Sequence, residues 1–89
     1  MVTVLITHEV SDFNAWKTKF DEYEPIRTMA GFTLLNIYSD INDSNKLTII
    51  FRAPSIEAVH TVFNNPKLKE DMMDAGVVKN PEIQILHRI

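Results

Sequence analysis

His8-Glu9-Val10-Ser11-Asp12-Phe13-Asn14-Ala15-Trp16-Lys17-Thr18-Lys19-Phe20-Asp21 is the stretch whose reading decides the fold. A β-branched run from Val2 to Val10 stops at Ser11-Asp12, and there the hydrophobic period changes from two to about 3.6. Phe13, Trp16, Phe20 and Tyr23 follow at i, i+3, i+7 and i+10, which stacks four aromatic rings along one face of a helix. Ser11 or Asp12 can cap that helix by offering an oxygen to the free N–H groups of its first turn. A strand ending in a histidine thus feeds a helix with an aromatic stripe. Such a stripe either fills a core or walls a pocket for a flat apolar ligand.

Working outward, the helical pattern runs to Ala30, and Gly31 supplies the left-handed residue that commonly ends a helix. Pro25 removes one i→i−4 bond, so a kink or break is expected near Asp21 to Glu24. Phe32 to Ser39 reads as a second strand, Asp40 to Asn45 as a turn, and Lys46 to Ala53 as a third strand. Pro54-Ser55 opens a further helix with Ile56, Val59 and Phe63 on its inner face. Asn65-Pro66 restarts it, with Leu68, Met72 and Ala75 continuing the stripe until Gly76. Glu82 to Arg88 is the last strand. The order β-α-β-β-α-β predicts an α+β, ferredoxin-like fold: a four-stranded antiparallel sheet with both helices on one face.

Alternation divides the strand residues into two faces. Val4, Ile6, His8, Leu47, Ile49, Phe51, Ile83, Ile85 and His87 form a nearly apolar set that belongs under the helices. The opposite set centres on Leu5, Ile50 and Leu86, with polar or charged residues towards the strand ends. A dry centre within a polar rim is the anatomy of an interface, so a homodimer through this sheet face is expected. The second strand assigns to neither face, because Leu35 and Ile37 alternate with Leu34, Asn36 and Tyr38.

The 89 residues, read as one domain spanning 1–89, bury only about two-thirds of the surface that the unfolded chain exposes. With no cysteine, neither disulfides nor thiolate metal sites can assist, which again favours a partner subunit. The net charge is −3 and the nine Lys and Arg are scattered, against the basic patch that a nucleic-acid surface needs. No apolar run approaches the roughly 18 residues of a membrane span. The start Met1-Val2-Thr3-Val4 has no basic leader region, so a soluble, cytoplasmic protein is expected.

Of three histidines, His8 is the candidate catalytic base, ending the first strand beside the aromatic helix. A half-buried histidine satisfied by the strand–helix turn is the plainer reading. Trp16, Phe20, Tyr23, Arg27, Phe51 and His60 are candidate substrate-binding residues: rings to stack on a planar compound, and Arg27 to take an anionic group at the cleft's other end. His60 and His87 also read as boundary residues, and Asp21, Glu22 and Glu24 as a solvated acidic run. No HxH, HxxxH or HExxH spacing exists, so a histidine metal site is not expected.

Ile6, His8 and Val10, then Asp12, Phe13, Trp16, Lys17, Phe20 and Asp21, then Ala30-Gly31 and Leu68-x-x-x-Met72-x-x-Ala75-Gly76-Val77 together resemble the dimeric α/β-barrel superfamily of antibiotic-biosynthesis-monooxygenase-like proteins. The resemblance spans most of the chain. It implies homodimers whose sheets pack together and a site in the cleft between sheet and helices. It also implies an activity among oxygenation of aromatic polyketides without metal or flavin, lactone isomerisation and haem breakdown. The haem-degrading relatives use an Asn, Trp and His set, from which this chain departs: Trp16 lies on the first helix and the first strand has no asparagine. The expectation is a cofactor-independent monooxygenase, isomerase or cyclase acting on a small apolar or aromatic compound. The alternatives are a non-catalytic binding module and a structural dimer.

Overall fold

A computed structural model describes residues 1–67, 70, 76 and 81–89. Four strands, β1 (Val2–Glu9), β2 (Thr33–Asp40), β3 (Asp43–Ala53) and β4 (Glu82–Leu86), form one antiparallel sheet in the order β2-β3-β1-β4. Helices α1 (Phe13–Glu22) and α2 (Glu24–Met29) connect β1 to β2, and α3 (Ile56–Phe63) follows β3. This is the ferredoxin-like α+β arrangement that the residue pattern predicts. Leu68, Met72, Ala75 and Val77 lie outside the described residues. Among the described residues no helix is long and apolar enough to cross a membrane.

The β1–α1 elbow forms where the sequence changes period. Asp12 is the N-cap, its Oδ1 accepting from the Asn14 N–H at 3.1 Å. The Phe13 N–H donates to Asn45 Oδ1 at 3.0 Å, and the Val10 N–H donates to the Asn45 carbonyl at 2.9 Å. Asn45 therefore satisfies groups of the elbow from the neighbouring strand, which fixes the entry of α1 over the sheet. The Ser11 N–H donates to the Gly76 carbonyl at 2.7 Å. Gly76 has φ +89, a backbone conformation that favours glycine, and a Cβ there would also crowd Ser11 Oγ.

The expected break is present: α1 stops at Glu22, Tyr23 joins the two helices, and Pro25 sits in the first turn of α2, where a missing N–H costs least. Gly31 follows at φ +83 and turns the chain into β2.

Val4, Ile6, Leu47, Ile49 and Phe51 are buried in one cluster with Trp16 from α1 and Val59 from α3, and His8 is buried beside it, against Trp16. Both helices thus cover the same sheet face. At β4 the cover is thinner than alternation suggests: Ile85 is half-buried, but Ile83 is 38% exposed and His87 is exposed beyond the strand's end. Ile56, expected on the inner face of α3, is 44% exposed, because Val59, Val62 and Phe63 take the positions turned towards the core.

β2 explains its own ambiguity. Leu34 lies opposite Phe51 and Asn36 opposite Ile50, so Leu35 is an extra residue in the ladder. This bulge shifts the alternation by one, which puts Leu34 and Ile37 on the helix side while Asn36 and Tyr38 face away. The β2–β3 turn is shorter than composition suggests. Only Ile41 and Asn42 separate the strands, with Asp40 Oδ2 accepting from the Asn42 N–H at 3.0 Å, and β3 begins at Asp43.

Candidate functional site

The aromatic stripe of α1 does not fill the space between helices and sheet. A cavity of about 440 Å³ lies there, walled by α1, α2, α3 and the covered sheet face. His8, Trp16, Phe20, Tyr23, Arg27 and Phe51 all line it. The sequence left open whether this cleft is packed solid; it is open, and its volume falls within the range of small-molecule sites.

The rings form a continuous wall. His8 meets Trp16 edge-on, with centroids 5.6 Å apart and planes at 85°. Trp16 stacks on Phe20 at 4.8 Å, Phe20 on Phe51 at 6.0 Å, and Phe32 meets Phe51 edge-on at 5.8 Å. Trp16 is buried while Phe20 is half-buried, so the stripe serves as core on one side and as cavity wall on the other.

His8 stands out. It is 7% exposed, the one buried polar residue among those described, and neither Nδ1 nor Nε2 has a hydrogen-bond partner among the described residues. The plainer expectation, a histidine satisfied by the strand–helix turn, is therefore not met. Burial pushes the imidazole below its usual value, because a charged ring here has lost its water. At neutral pH it is uncharged, with one N–H to donate and one lone pair to accept. Leaving such groups unpaired costs about 1–3 kcal/mol.

Arg27 holds the far side. Its guanidinium carbon lies 3.9 Å from the Phe20 centroid and 5.7 Å from that of Phe51, and one N–H donates to the Phe20 carbonyl at 2.7 Å. Burial lowers its pKa, against which Glu24 and Asp21 raise it. An arginine remains cationic regardless. Lys19, also on the wall, is 3.5 Å from Glu22, and Lys17 is paired with Asp21 at 2.6 Å.

His60 does not join this set. It is exposed on α3 and lies outside the cavity lining, since the residue after inward-facing Val59 is rotated about 100° around the helix. The sequence reading missed Ile26, Met29, Phe32 and Phe63 as lining residues. A signal existed for the first two, which extend the spacing of Tyr23 by three and six residues. His8 and His87 are far apart: Thr3 pairs with Leu86, so His87 lies beside Val2, six positions along the strand from His8. Among the described residues no three His, Asp or Glu side chains converge as a metal set.

With this geometry in hand, solved structures supply the comparison. A candidate antibiotic biosynthesis monooxygenase from Bordetella bronchiseptica superposes with a TM-score of 0.77 at 10% identity, over 99% of this chain and 96% of that one. SnoaB, a cofactor-independent oxygenase from Streptomyces nogalater, does so with a TM-score of 0.72 at 14% identity, over 98% and 91%. PA3566 from Pseudomonas aeruginosa gives 0.70 at 20%, over 99% and 93%. The chain has the fold of antibiotic-biosynthesis-monooxygenase-like proteins. No family model matches the sequence, and no curated protein matches it. At these identities the likeness concerns the backbone alone. The elbow and the cavity wall must be argued from this chain's own residues.

Proposed function

We propose that the protein binds a small, planar, apolar compound between sheet and helices and transforms it without a cofactor, as an oxygenase or isomerase, with His8 as the general base. The observation that carries this reading is the buried, uncharged, unpartnered His8 on the wall of an apolar cavity. A buried donor and acceptor without a partner calls for an explanation, and a ligand that supplies the partner is one. The likeness in fold to a cofactor-independent oxygenase supports the oxygenase branch.

His8 takes a proton from an acidic C–H or O–H of the ligand, and the anion is delocalised over a ring held against Trp16 and Phe20. In the oxygenase branch this electron-rich anion reacts with dioxygen itself. A ring methylene becomes a carbonyl and the second oxygen atom leaves as water. In the isomerase branch protonated His8 returns the proton to another atom of the same anion. Low dielectric around the site strengthens each of these interactions.

A hydroxyanthrone is a suitable probe, because its methylene is acidic and its oxidation to the anthraquinone is visible. Wild type should consume oxygen with it, and His8→Ala should slow turnover by about a hundredfold or more while circular dichroism stays native. Unchanged turnover in the variant would remove His8 from the role. Saturable binding with no product by mass spectrometry would leave a binding module.

The reading extends to the assembly. Residues 1–89 act as one domain and pair through the sheet face opposite the helices, where Leu5 and Ile50 are half-exposed and Leu86 is 42% exposed. Tyr38 on the same face is 53% exposed. Ile50→Asp should reduce the mass measured by light scattering from two chains to one, since it sets a charge at the centre of that patch. A cytoplasmic setting belongs to the same proposal, as a cysteine-free chain has no need of an oxidising compartment.

A further inference from the structure

Arg27 is an expensive residue to place on an apolar wall. It is half-buried, and among the described residues it makes no ion pair and engages a single side-chain N–H, with the Phe20 carbonyl. Asp21 and Glu24 are near enough to favour its charge, yet neither is within ion-pair distance. A guanidinium carries five donors in a planar fork, so most of the fork is left without a protein partner among the described residues, on a cavity-lining residue that lies over Phe20 and Phe51. Water can serve these donors while the cavity is empty. A neutral apolar ligand that fills the cavity displaces that water and strands them.

We infer that the compound held in this cavity is a planar aromatic carboxylate, its ring lying along Trp16 and Phe20 and its carboxylate taking the free edge of Arg27. This rests on the reading of the cavity as a small-molecule site and narrows it to one ligand class. A carboxylate matches the fork in shape and accepts two parallel N–H bonds. A single negative charge also suits a site with one unpaired cation among the described residues, flanked by Asp21 and Glu24, better than a doubly charged phosphate. The geometry orders the ligand as well. Its acidic end is held under α2, and the ring edge furthest from it lies towards His8, which contacts Trp16.

The chain reports on the site itself, because Trp16 is its only tryptophan and lies on the cavity wall. The experiment titrates wild-type protein with 2-naphthoate and with the neutral isostere 2-naphthamide, by calorimetry and by quenching of Trp16 emission. Naphthoate should bind about ten- to a hundredfold more tightly than the amide, the range for a charge-assisted hydrogen-bonded pair. Arg27→Met should remove that preference, weakening the acid and leaving the amide within about threefold. Arg27→Lys, which keeps the charge without the fork, should retain part of it. Equal affinity for acid and amide in wild type overturns the inference while leaving the cavity a ligand site. Binding of neither overturns it together with the reading it rests on. The wild-type comparison decides the matter even if Arg27→Met does not fold.

Discussion

The two ends of the cavity are built in opposite ways. His8 stands on β1, an interior strand of the sheet, paired along its length with β3 and through Thr7 with β4. Its neighbours Ile6, Leu47, Ile49 and Trp16 are all buried. Arg27 stands on α2, six residues long, with no buried residue and no side-chain cap at its N-terminus. The group with unpaired nitrogens is held by an interior strand among buried neighbours; the group with spare donors sits on a short helix with no buried residue. A base needs fixed geometry, since small displacements cost rate. A charged clamp that must admit a ligand gains from a support that can yield.

If that contrast is real, the largest response should come from the wall that joins the two ends. Trp16 is 4% exposed and touches His8, Phe13 and Phe20 at once. Trp16→Ala should cost about 3–5 kcal/mol in urea unfolding, as for other buried aromatic truncations. A loss below about 1 kcal/mol would mean that the helix–sheet interface collapses freely, and the His8 end would then be no stiffer than the other.

The next response is a pH dependence confined to the rigid end. Unfolded His8 takes up its proton near the ordinary value of 6.5, whereas folded His8 resists protonation until lower pH. Between those values the unfolded chain binds more protons, so stability falls as the pH falls, at no more than about 1.4 kcal/mol per pH unit. The contribution is complete above about pH 6.5 and declines below it. His8→Leu should abolish this component when its unfolding is compared with wild type from pH 7.5 to 5. It should also be as stable as wild type or more so at pH 7.5, because it removes two unpaired nitrogens. Parallel pH curves for the two proteins would show that His8 finds a partner after all.

How much of this was readable in the chain differs from element to element. The period change at Ser11-Asp12 located the elbow, and Pro25 located the break, because each acts through local backbone chemistry. Of the six lining residues named from sequence, five lie on α1, α2, β1 and β3, each of which keeps one period, and Tyr23 sits at the α1–α2 junction. β2 was illegible because a bulge at Leu35 reverses the alternation midway, and a bulge depends on the partner strand. Asn45 looked like a turn residue, and its composition is indeed that of a turn. Its place in β3, and its hydrogen bond to Phe13, arise from the pairing of distant strands. His60 misled because it is adjacent to the apolar stripe in sequence, while a helix turns it to solvent. The cavity itself could not be read: residues that line a space and residues that fill one are the same residues.

The smallest response tests the other end of the comparison. Met29 lines the cavity mouth yet is 89% exposed, and Ile26 one turn earlier is 50% exposed. Large apolar groups left in water at the end of a short helix contribute little to folding, so Met29→Ala should change stability by less than about 0.5 kcal/mol. Amide exchange across α2 should already be fast in wild type and stay unchanged in the variant, because few buried contacts resist its opening. A loss of more than about 1 kcal/mol would instead require Met29 to be buried in solution. A second chain could bury it, and α2 would then be anchored from outside. The difference between the two ends would in that case belong to the isolated chain and vanish in the assembly.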